Sequence, residues 1–239
     1  MARLPRLVVP GYPHHVTQRG VRSMEVFHGD RDRRLYLFFV QEETGRFGVE
    51  VLAWCLMSNH VHFIAVPPEE SALARAFGAA HRRYTTMKNK EAGVKGFLFQ
   101  GRFFSTVLNE RHLLAAARYI EVNPVRAGMV KEPWLYPWSS AAYHVGLSAT
   151  DPLVRNRDLV ERVGDWRVFL KEAVQEDYEE LRKATRTGRP CGDSTFVAEL
   201  SRISGRPLTK NRPGRRRKSG DTILNSQHTD IIGEKIKGK

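Results

Sequence analysis

The chain has 239 residues, and its 39 Lys and Arg outnumber its 26 Asp and Glu to give a formal net charge of +13 at pH 7. An excess of this size favours a polyanionic partner, most often nucleic acid. No apolar stretch is long enough to span a membrane, no signal-peptide pattern follows Met1, and Cys55 and Cys191 are too few and too far apart for a zinc ribbon or a disulfide framework.

The first two-thirds of the chain alternate between strand-like and helix-like patterns. Apolar periodicity predicts the strands and helices, and Gly and Pro mark their ends. In chain order we expect a strand over 12–20, a helix over 30–45, strands over 49–57 and 60–66, a helix over 71–90, a strand over 97–108 interrupted at Gly101, and a helix over 110–123 that Pro124 ends. This order predicts an α+β fold with a ferredoxin-like split βαβ antiparallel sheet and helices on one face.

The sequence changes character after residue 132. Aromatic residues over 134–144 are interpreted as a small core that packs this segment on the sheet, with base stacking as the alternative. Residues 151–184 have a helical pattern, order is expected to decline after Thr185, and residues 201–220 contain eight Lys and Arg and no acidic residue. We therefore divide the chain into a domain over 1–147, a helical C-terminal extension over 148–185 and a basic, flexible tail over 186–239.

Two histidines are the first candidates for a metal site. His60 and His62 lie two residues apart in a predicted strand. Alternation places both side chains on one face, about 7 Å apart, where two imidazoles can converge on one cation. The alternative is a pair of polar residues on a solvated sheet face.

A tyrosine and an asparagine on a later helix add a nucleophile and a further ligand. Tyr119 and Asn123 are four residues apart and share a helix face. An amide oxygen can bind a hard cation, and a tyrosine hydroxyl can attack a phosphorus atom that the cation holds. Such an attack would give a 5′-phosphotyrosine and a free 3′-hydroxyl, which can reverse the reaction. The alternative for Tyr119 is an ordinary core tyrosine.

Four segments of the chain resemble the REP-associated tyrosine transposases, which are single-tyrosine relatives of the HUH nucleases. Residues 56–64 (LMSNHVHFI) are similar to the His-hydrophobic-His motif, and residues 118–130 (RYIEVNPVRAGMV) resemble the tyrosine helix. Residues 10–20 and 99–103 also match in order, and the resemblance spans about residues 5–145.

This resemblance implies the HUH nuclease fold and a transposase that cuts and rejoins single-stranded DNA near hairpins through a covalent 5′-phosphotyrosine. It implies that Tyr119 is the nucleophile and that His60, His62 and Asn123 bind Mg²⁺ or Mn²⁺. Two nitrogens and one amide oxygen suit Mn²⁺, so Mg²⁺ would be used only because it is abundant. We expect a monomer or homodimer in the cytoplasm, associated with the nucleoid and without a membrane partner.

Basic residues near the expected site and in the tail are candidate DNA contacts. Guanidinium groups suit phosphate oxygens, and a basic arm can follow the DNA backbone; a solvated charge is the alternative for each residue near the site. The candidates are Arg19, Arg102, Arg118, Arg126, Arg215, Arg216, Arg217 and Lys218.

Several alternatives stay open at this point. Tyr84 also has basic neighbours, but its helix lacks an asparagine partner. His14 or His15 could approach the site or lie exposed at a strand edge. A protein that binds single strands or hairpins without cutting them, or an RNA-recognition sheet, would share the strand order. The sequence also leaves open whether the site is built from one chain or two.

Overall fold

Four strands form one antiparallel sheet in the order β2-β3-β1-β4. The computed structural model describes residues 6–172 and 175–208. The strands are β1 (His14–Arg19), β2 (Glu50–Leu56), β3 (His60–Val66) and β4 (Phe104–Val107). β3 lies between β1 and β2 and pairs antiparallel with both. The strand order confirms the predicted ferredoxin-like α+β fold.

Helices pack on both faces of the sheet, and the prediction of helices on one face was wrong. Strand alternation explains the difference, because both faces of the central strands are apolar. On β3, Val61 and Phe63 lie in the core beneath the first two helices, and Ile64 lies in the core beneath the third. The helices are α1 (Asp30–Arg46) and α2 (Ala72–Ala92) on one face and α3 (Glu110–Arg126) on the other.

Pro124 lies inside α3 and does not end it, contrary to the prediction. A proline removes one backbone N–H, and therefore one helical hydrogen bond. The bond lost is the one to the carbonyl of Ile120, and because Pro124 stands in the last turn of the helix, the carbonyls of Asn123 and Pro124 are bonded from beyond the helix. Ala127 N–H donates to the carbonyl of Asn123 at 3.0 Å, and Met129 N–H donates to that of Pro124 at 2.9 Å.

The segment before β4 is a loop, so this strand is shorter than the predicted 97–108. Phe99 forms an isolated bridge to Gly20, and Gln100 N–H donates to the carbonyl of Arg19 at 2.8 Å. These two contacts draw the loop across the end of β1. The loop therefore approaches the strand that lies next to the two histidines.

The segment after α3 packs back onto the sheet, which confirms the small aromatic core. Tyr136 and Tyr143 are buried, and the Tyr136 hydroxyl donates to the carbonyl of Leu56 at 2.7 Å. Four further helices follow in this half of the chain: α4 (Ala141–His144), α5 (Asp158–Glu161), α6 (Trp166–Lys171) and α7 (Gln175–Thr187). None of the described helices is both long and apolar enough to cross a membrane.

A last helix, α8 (Ser194–Ser204), lies beyond Thr185, where order was expected to decline. Its residues Phe196 and Leu200 pack against Leu7 and Val9 near the N-terminus, which gives this segment a core of its own. The proposed division at residues 147 and 185 remains a prediction. The basic cluster from Arg215 to Lys218 lies outside the described residues.

Candidate active site

His60 and His62 lie on the face of β3 that α3 covers. Their ring centroids are 4.9 Å apart and their planes are nearly perpendicular, at 86°. His60 is half-buried at the start of the strand, and His62 is only 5% exposed. The burial of His62 argues against a pair of solvated surface residues.

A chain of hydrogen bonds orients His62. Its Nδ1 atom lies 2.9 Å from Nε2 of His15 on β1, and Nδ1 of His15 lies 2.9 Å from the hydroxyl of Thr185 on α7. The Nε2 atom of His62 is buried and has no hydrogen-bond partner among the described residues. A buried imidazole nitrogen without a partner is costly unless another group uses its lone pair. Metal-binding histidines commonly have this pattern, with the second nitrogen hydrogen-bonded.

His60 is oriented in a similar way by a neighbour. Its Nδ1 atom lies 2.6 Å from Oδ1 of Asn59, and its Nε2 atom lies 3.4 Å from the side-chain amide of Asn123. The oxygen and nitrogen of that amide exchange places by a half-turn, so Asn123 can offer its oxygen. Among the described residues, no three His, Cys, Asp or Glu side chains form a metal-binding group. Because its side-chain amide lies 3.4 Å from Nε2 of His60, Asn123 fits the place of a third ligand.

Burial keeps these imidazoles neutral. Burial, assisted by nearby Arg19, lowers the pKa of His60 to about 4, and burial lowers the pKa of His15 to about 3. Burial also holds the pKa of His62 well below its usual range, with smaller contributions from His60 and His15. Neutral imidazoles offer lone pairs to a cation at neutral pH without competition from protons.

α3 places Tyr119 against the two histidines of the hydrogen-bond chain. The helix begins where the Asn109 side chain accepts from the N–H of His112, a normal N-cap. The Tyr119 ring meets His62 and His15 edge-on, with centroid distances of 5.7 and 6.2 Å. Tyr119 is 8% exposed. The structure thus brings the predicted nucleophile and the predicted metal ligands together.

A buried carboxylate on the opposite face of α3 fixes the rotation of this helix. Glu121 is fully buried, and its Oε1 accepts from the Ser140 hydroxyl and lies 2.6 Å from Nδ1 of His144. Its Oε2 accepts from Nε1 of Trp166 at 2.7 Å. In sequence, Glu121 is two residues from both Tyr119 and Asn123, so its side chain leaves the opposite side of the helix. Its three contacts therefore keep Tyr119 and Asn123 turned toward the histidines.

Two arginines lie over the Tyr119 ring. Cζ of Arg126 is 5.1 Å and Cζ of Arg182 is 5.7 Å from the ring centroid, and Nε of Arg182 donates to the tyrosine hydroxyl at 3.5 Å. A cavity of about 220 Å³ lies beside Tyr119. Its lining includes His15, Arg19, His62, Gln100, Tyr119, Arg182 and Thr185.

The predicted basic residues fall into two groups. Arg19 lines the cavity, Arg126 contacts the tyrosine ring, and Arg102 is exposed one residue beyond Gly101 in the adjoining loop. Arg118 is instead buried on the far side of α3, where it donates to the carbonyl of Glu172 at 2.9 Å. Arg118 is therefore not among the residues that the fold brings to the cavity.

Tyr84, the alternative candidate for the nucleophile, lies far from the candidate active site. It lies on α2 in the core of the opposite sheet face, and its hydroxyl donates to the carbonyl of Val26 at 2.6 Å. Burial holds its pKa well above the usual value for tyrosine. A hydroxyl that is buried, hydrogen-bonded and hard to ionise is unsuited to nucleophilic attack.

Arg182 and Thr185 were not predicted from the sequence, and for His15 the sequence left open whether it approaches the site or lies exposed at a strand edge. The two missed residues lie on α7, about sixty positions after the tyrosine, with no motif that links them to it. The sequence offered one weak indication that this helix packs against the site, because Tyr178, Arg182 and Thr185 share one helix face. Tyr178 does pack edge-on against Tyr119 at 5.3 Å between centroids.

Part of the chain is similar to known transposases. Residues 9–123 match the family model described as "Transposase IS200 like". A solved REP-associated tyrosine transposase bound to a REP hairpin is 20% identical, with a TM-score of 0.50 over 65% of this chain and 92% of that one. A candidate transposase from Deinococcus radiodurans is 18% identical, with a TM-score of 0.36 over 50% of this chain and 96% of that one.

No curated protein matches the chain. The family match includes both histidines, Tyr119 and Asn123. The solved REP-associated tyrosine transposase shows a similar fold. Residues 9–123, just under half of the chain, are therefore similar to the IS200-like transposases.

Proposed function

We propose that this protein is a transposase that cuts and rejoins single-stranded DNA beside a hairpin, with Tyr119 as the nucleophile and a divalent cation held by His60, His62 and Asn123. The observation that carries the proposal is the buried Nε2 of His62, which has no hydrogen-bond partner among the described residues; the His62 ring lies 5.7 Å from the Tyr119 ring and 4.9 Å from the His60 ring. The proposal of a hairpin substrate rests on the REP-associated tyrosine transposase of similar fold, which was solved with a REP hairpin bound.

The reaction would be one exchange of bonds at phosphorus. The Tyr119 oxygen bonds to phosphorus, the bond from phosphorus to the 3′-oxygen breaks, and the phenolic proton reaches that oxygen through solvent. The products are a 5′-phosphotyrosine and a free 3′-hydroxyl, and the reverse step joins a new strand. The number of phosphate ester bonds does not change, so no external energy source is required.

The side chains around the tyrosine have separate roles in this proposal. Arg182 donates to the phenolic oxygen, which favours the charge that develops as the proton leaves. Arg126, over the tyrosine ring, and Arg19, in the cavity lining, would hold phosphates next to the reacting one. A bound cation would polarise the scissile phosphate and stabilise charge on the departing 3′-oxygen. Two imidazoles and one amide oxygen are a donor set that suits Mn²⁺.

His15 and Thr185 act through His62. We propose that Nδ1 of His62 donates to Nε2 of His15, and Nδ1 of His15 donates to the Thr185 hydroxyl. This tautomer keeps the lone pair on Nε2 of His62 directed toward the cation. Because every group in the proposed site comes from one chain, we also propose that each subunit contains a complete site.

The deciding experiment is covalent capture of DNA. The protein is incubated with Mn²⁺ and labelled single-stranded hairpins from its host genome, and adducts are separated on a denaturing gel. Tyr119→Phe should abolish the adduct while DNA binding persists, and Tyr84→Phe is the matched control that should retain it. An adduct that survives Tyr119→Phe would refute the nucleophile. A complete lack of adducts with wild-type protein would favour a protein that only binds DNA.

A further inference from the structure

Phe97 is the most exposed large apolar residue among those described, at 89%. A single exposed apolar side chain is common, but the backbone on both sides of Phe97 is held in place. The carbonyl of Gly96 accepts from the Asn89 side chain at 2.9 Å, and the carbonyl of Leu98 accepts from Val21 N–H at 2.9 Å. The neighbouring Phe99 is buried in the core. Phe97 is thus presented to solvent by a fixed segment.

The turn beside this segment is strained. Arg22 and Ser23 have φ values of 52° and 60°, and they are the only residues other than glycine with positive φ in the described part of the chain. Such conformations persist only where the surroundings impose them, and they concentrate at functional sites. Gly20 is required here, because a Cβ at this position would collide with the carbonyl of Met24.

This turn is coupled to the metal-ligand strand. The Asn59 side chain donates to the carbonyl of Ser23 at 3.1 Å, and its oxygen lies 2.6 Å from Nδ1 of His60. On the other side, Gln100 lines the cavity beside Tyr119. Gln100 is three residues from Phe97, so their Cα atoms lie within about 11 Å. The turn and the loop therefore form a surface that continues into the candidate active site.

The surface is both apolar and basic. Met24 and Val94 are 64% and 55% exposed, and no salt bridge among the described residues involves Arg22, Lys95 or Arg102. Exposed aromatic rings among unpaired cations are the means by which proteins bind single strands, with bases stacked and phosphates neutralised. We call this surface the loop surface, and it consists of Arg22, Met24, Val94, Lys95, Phe97 and Arg102.

We propose that the loop surface binds the unpaired DNA segment that leads to Tyr119, with one base stacked on Phe97. The occupant is single-stranded DNA, because the base pairs inside a duplex are stacked on both sides and have no free face for the ring. The proposal rests on the proposed function for its substrate, but it can be tested by binding alone. In this proposal the loop surface directs the DNA strand toward the cavity beside Tyr119.

The test compares DNA binding by full-length variants. Fluorescence anisotropy measures the affinity for an oligothymidine of about 16 nucleotides, which is the upper end of known site sizes, and for a blunt duplex. Phe97→Ala should weaken oligothymidine binding about tenfold, which corresponds to about 1.4 kcal/mol for one stacked base. Duplex binding should be unchanged. Phe97→Trp should restore the affinity, because any aromatic ring can stack.

Phe38→Ala is the matched control, because Phe38 is also exposed, at 50%, but lies on α1 away from the site. It should bind both DNAs like the wild-type protein. Equal oligothymidine affinity of Phe97→Ala and wild type would overturn the proposal. A changed sedimentation of free Phe97→Ala, with unchanged DNA binding, would also overturn it and mark an interface between copies. Covalent capture by Phe97→Ala at saturating DNA tests the proposed function separately.

Discussion

Thr185 lies 2.9 Å from His15, although 170 residues separate them in the chain. His15 is in turn hydrogen-bonded to His62. The helix α7, which was predicted to be part of a C-terminal extension, therefore contributes a residue to the candidate metal site. The helix also brings Arg182 to the tyrosine hydroxyl. α7 is therefore part of the candidate active site.

Thr185→Val should weaken Mn²⁺ binding. The valine keeps the volume but removes the hydroxyl, so His15 loses the partner that fixes its tautomer. Residues outside the ligand shell typically contribute about 10- to 100-fold in metal affinity, and we expect the lower end. Electron paramagnetic resonance of free Mn²⁺ measures the dissociation constant without any DNA.

Thr185→Ser should restore the affinity, since it keeps the hydroxyl. Thr187→Val is the control on the same helix, because the Thr187 hydroxyl donates to backbone carbonyls of α7 and to no other group in the described part of the chain. If Thr185→Val and Thr187→Val bind Mn²⁺ equally well, the hydrogen-bond chain has no role in holding the cation.

Mixtures of two inactive variants should stay inactive. Tyr119→Phe lacks the nucleophile and His60→Ala lacks a ligand, and a site complete in each subunit cannot recover by exchange of parts. Covalent capture with an equal mixture should therefore give no more adduct than either variant alone. Recovery toward a quarter or more of wild-type yield would instead indicate a site that two chains share.

Glu121→Ala should destabilise the fold strongly. The substitution leaves three buried donors, on Ser140, His144 and Trp166, without their acceptor. We expect the free energy of unfolding to fall by about 3–5 kcal/mol in urea titrations.

Glu132→Ala removes a carboxylate that is 38% exposed and lies 3.8 Å from Lys171. This control should change the free energy of unfolding by about 0.5 kcal/mol or less. A loss below about 1 kcal/mol for Glu121→Ala would contradict the anchoring of α3 by this carboxylate.

Stability should fall as the pH drops below about 6.5, the usual pKa of histidine in an unfolded chain. Burial lowers the pKa of His14 to about 4 and that of His81 to about 3, so both stay neutral in the folded state. Between those values and pH 6.5 the unfolded chain binds more protons, which favours unfolding. Each histidine should cost about 1.4 kcal/mol per pH unit at most.

Urea titrations between pH 7 and pH 5 measure this slope. His14→Gln should reduce it, whereas His28→Gln should not, because the His28 side chain is 65% exposed. A free energy of unfolding that is the same at pH 7 and pH 5 would show that these histidines do not govern acid stability.

The strand order and the site spacing could be predicted because they depend on local patterns. Alternation put His60 and His62 on one face, and helical periodicity put Tyr119 and Asn123 on another, whatever the rest of the chain does. The prediction that Pro124 ends α3 was wrong because the free-energy cost of a proline in a helix depends on the turn in which it stands. The helices on both sheet faces were missed because a buried strand is apolar on both sides and does not indicate what covers it.

The sequence by itself determined the fold class, the basic charge and the four residues of the predicted site, since each follows from composition, periodicity or a motif. Only the tertiary structure decided that His15, Thr185 and Arg182 join that site and that Arg118 does not. Hydrogen bonds and packing between distant segments depend on the mutual position of elements, and no local pattern encodes it. The exposed Phe97 and the strained turn beside it likewise became visible only once the surrounding contacts were in place.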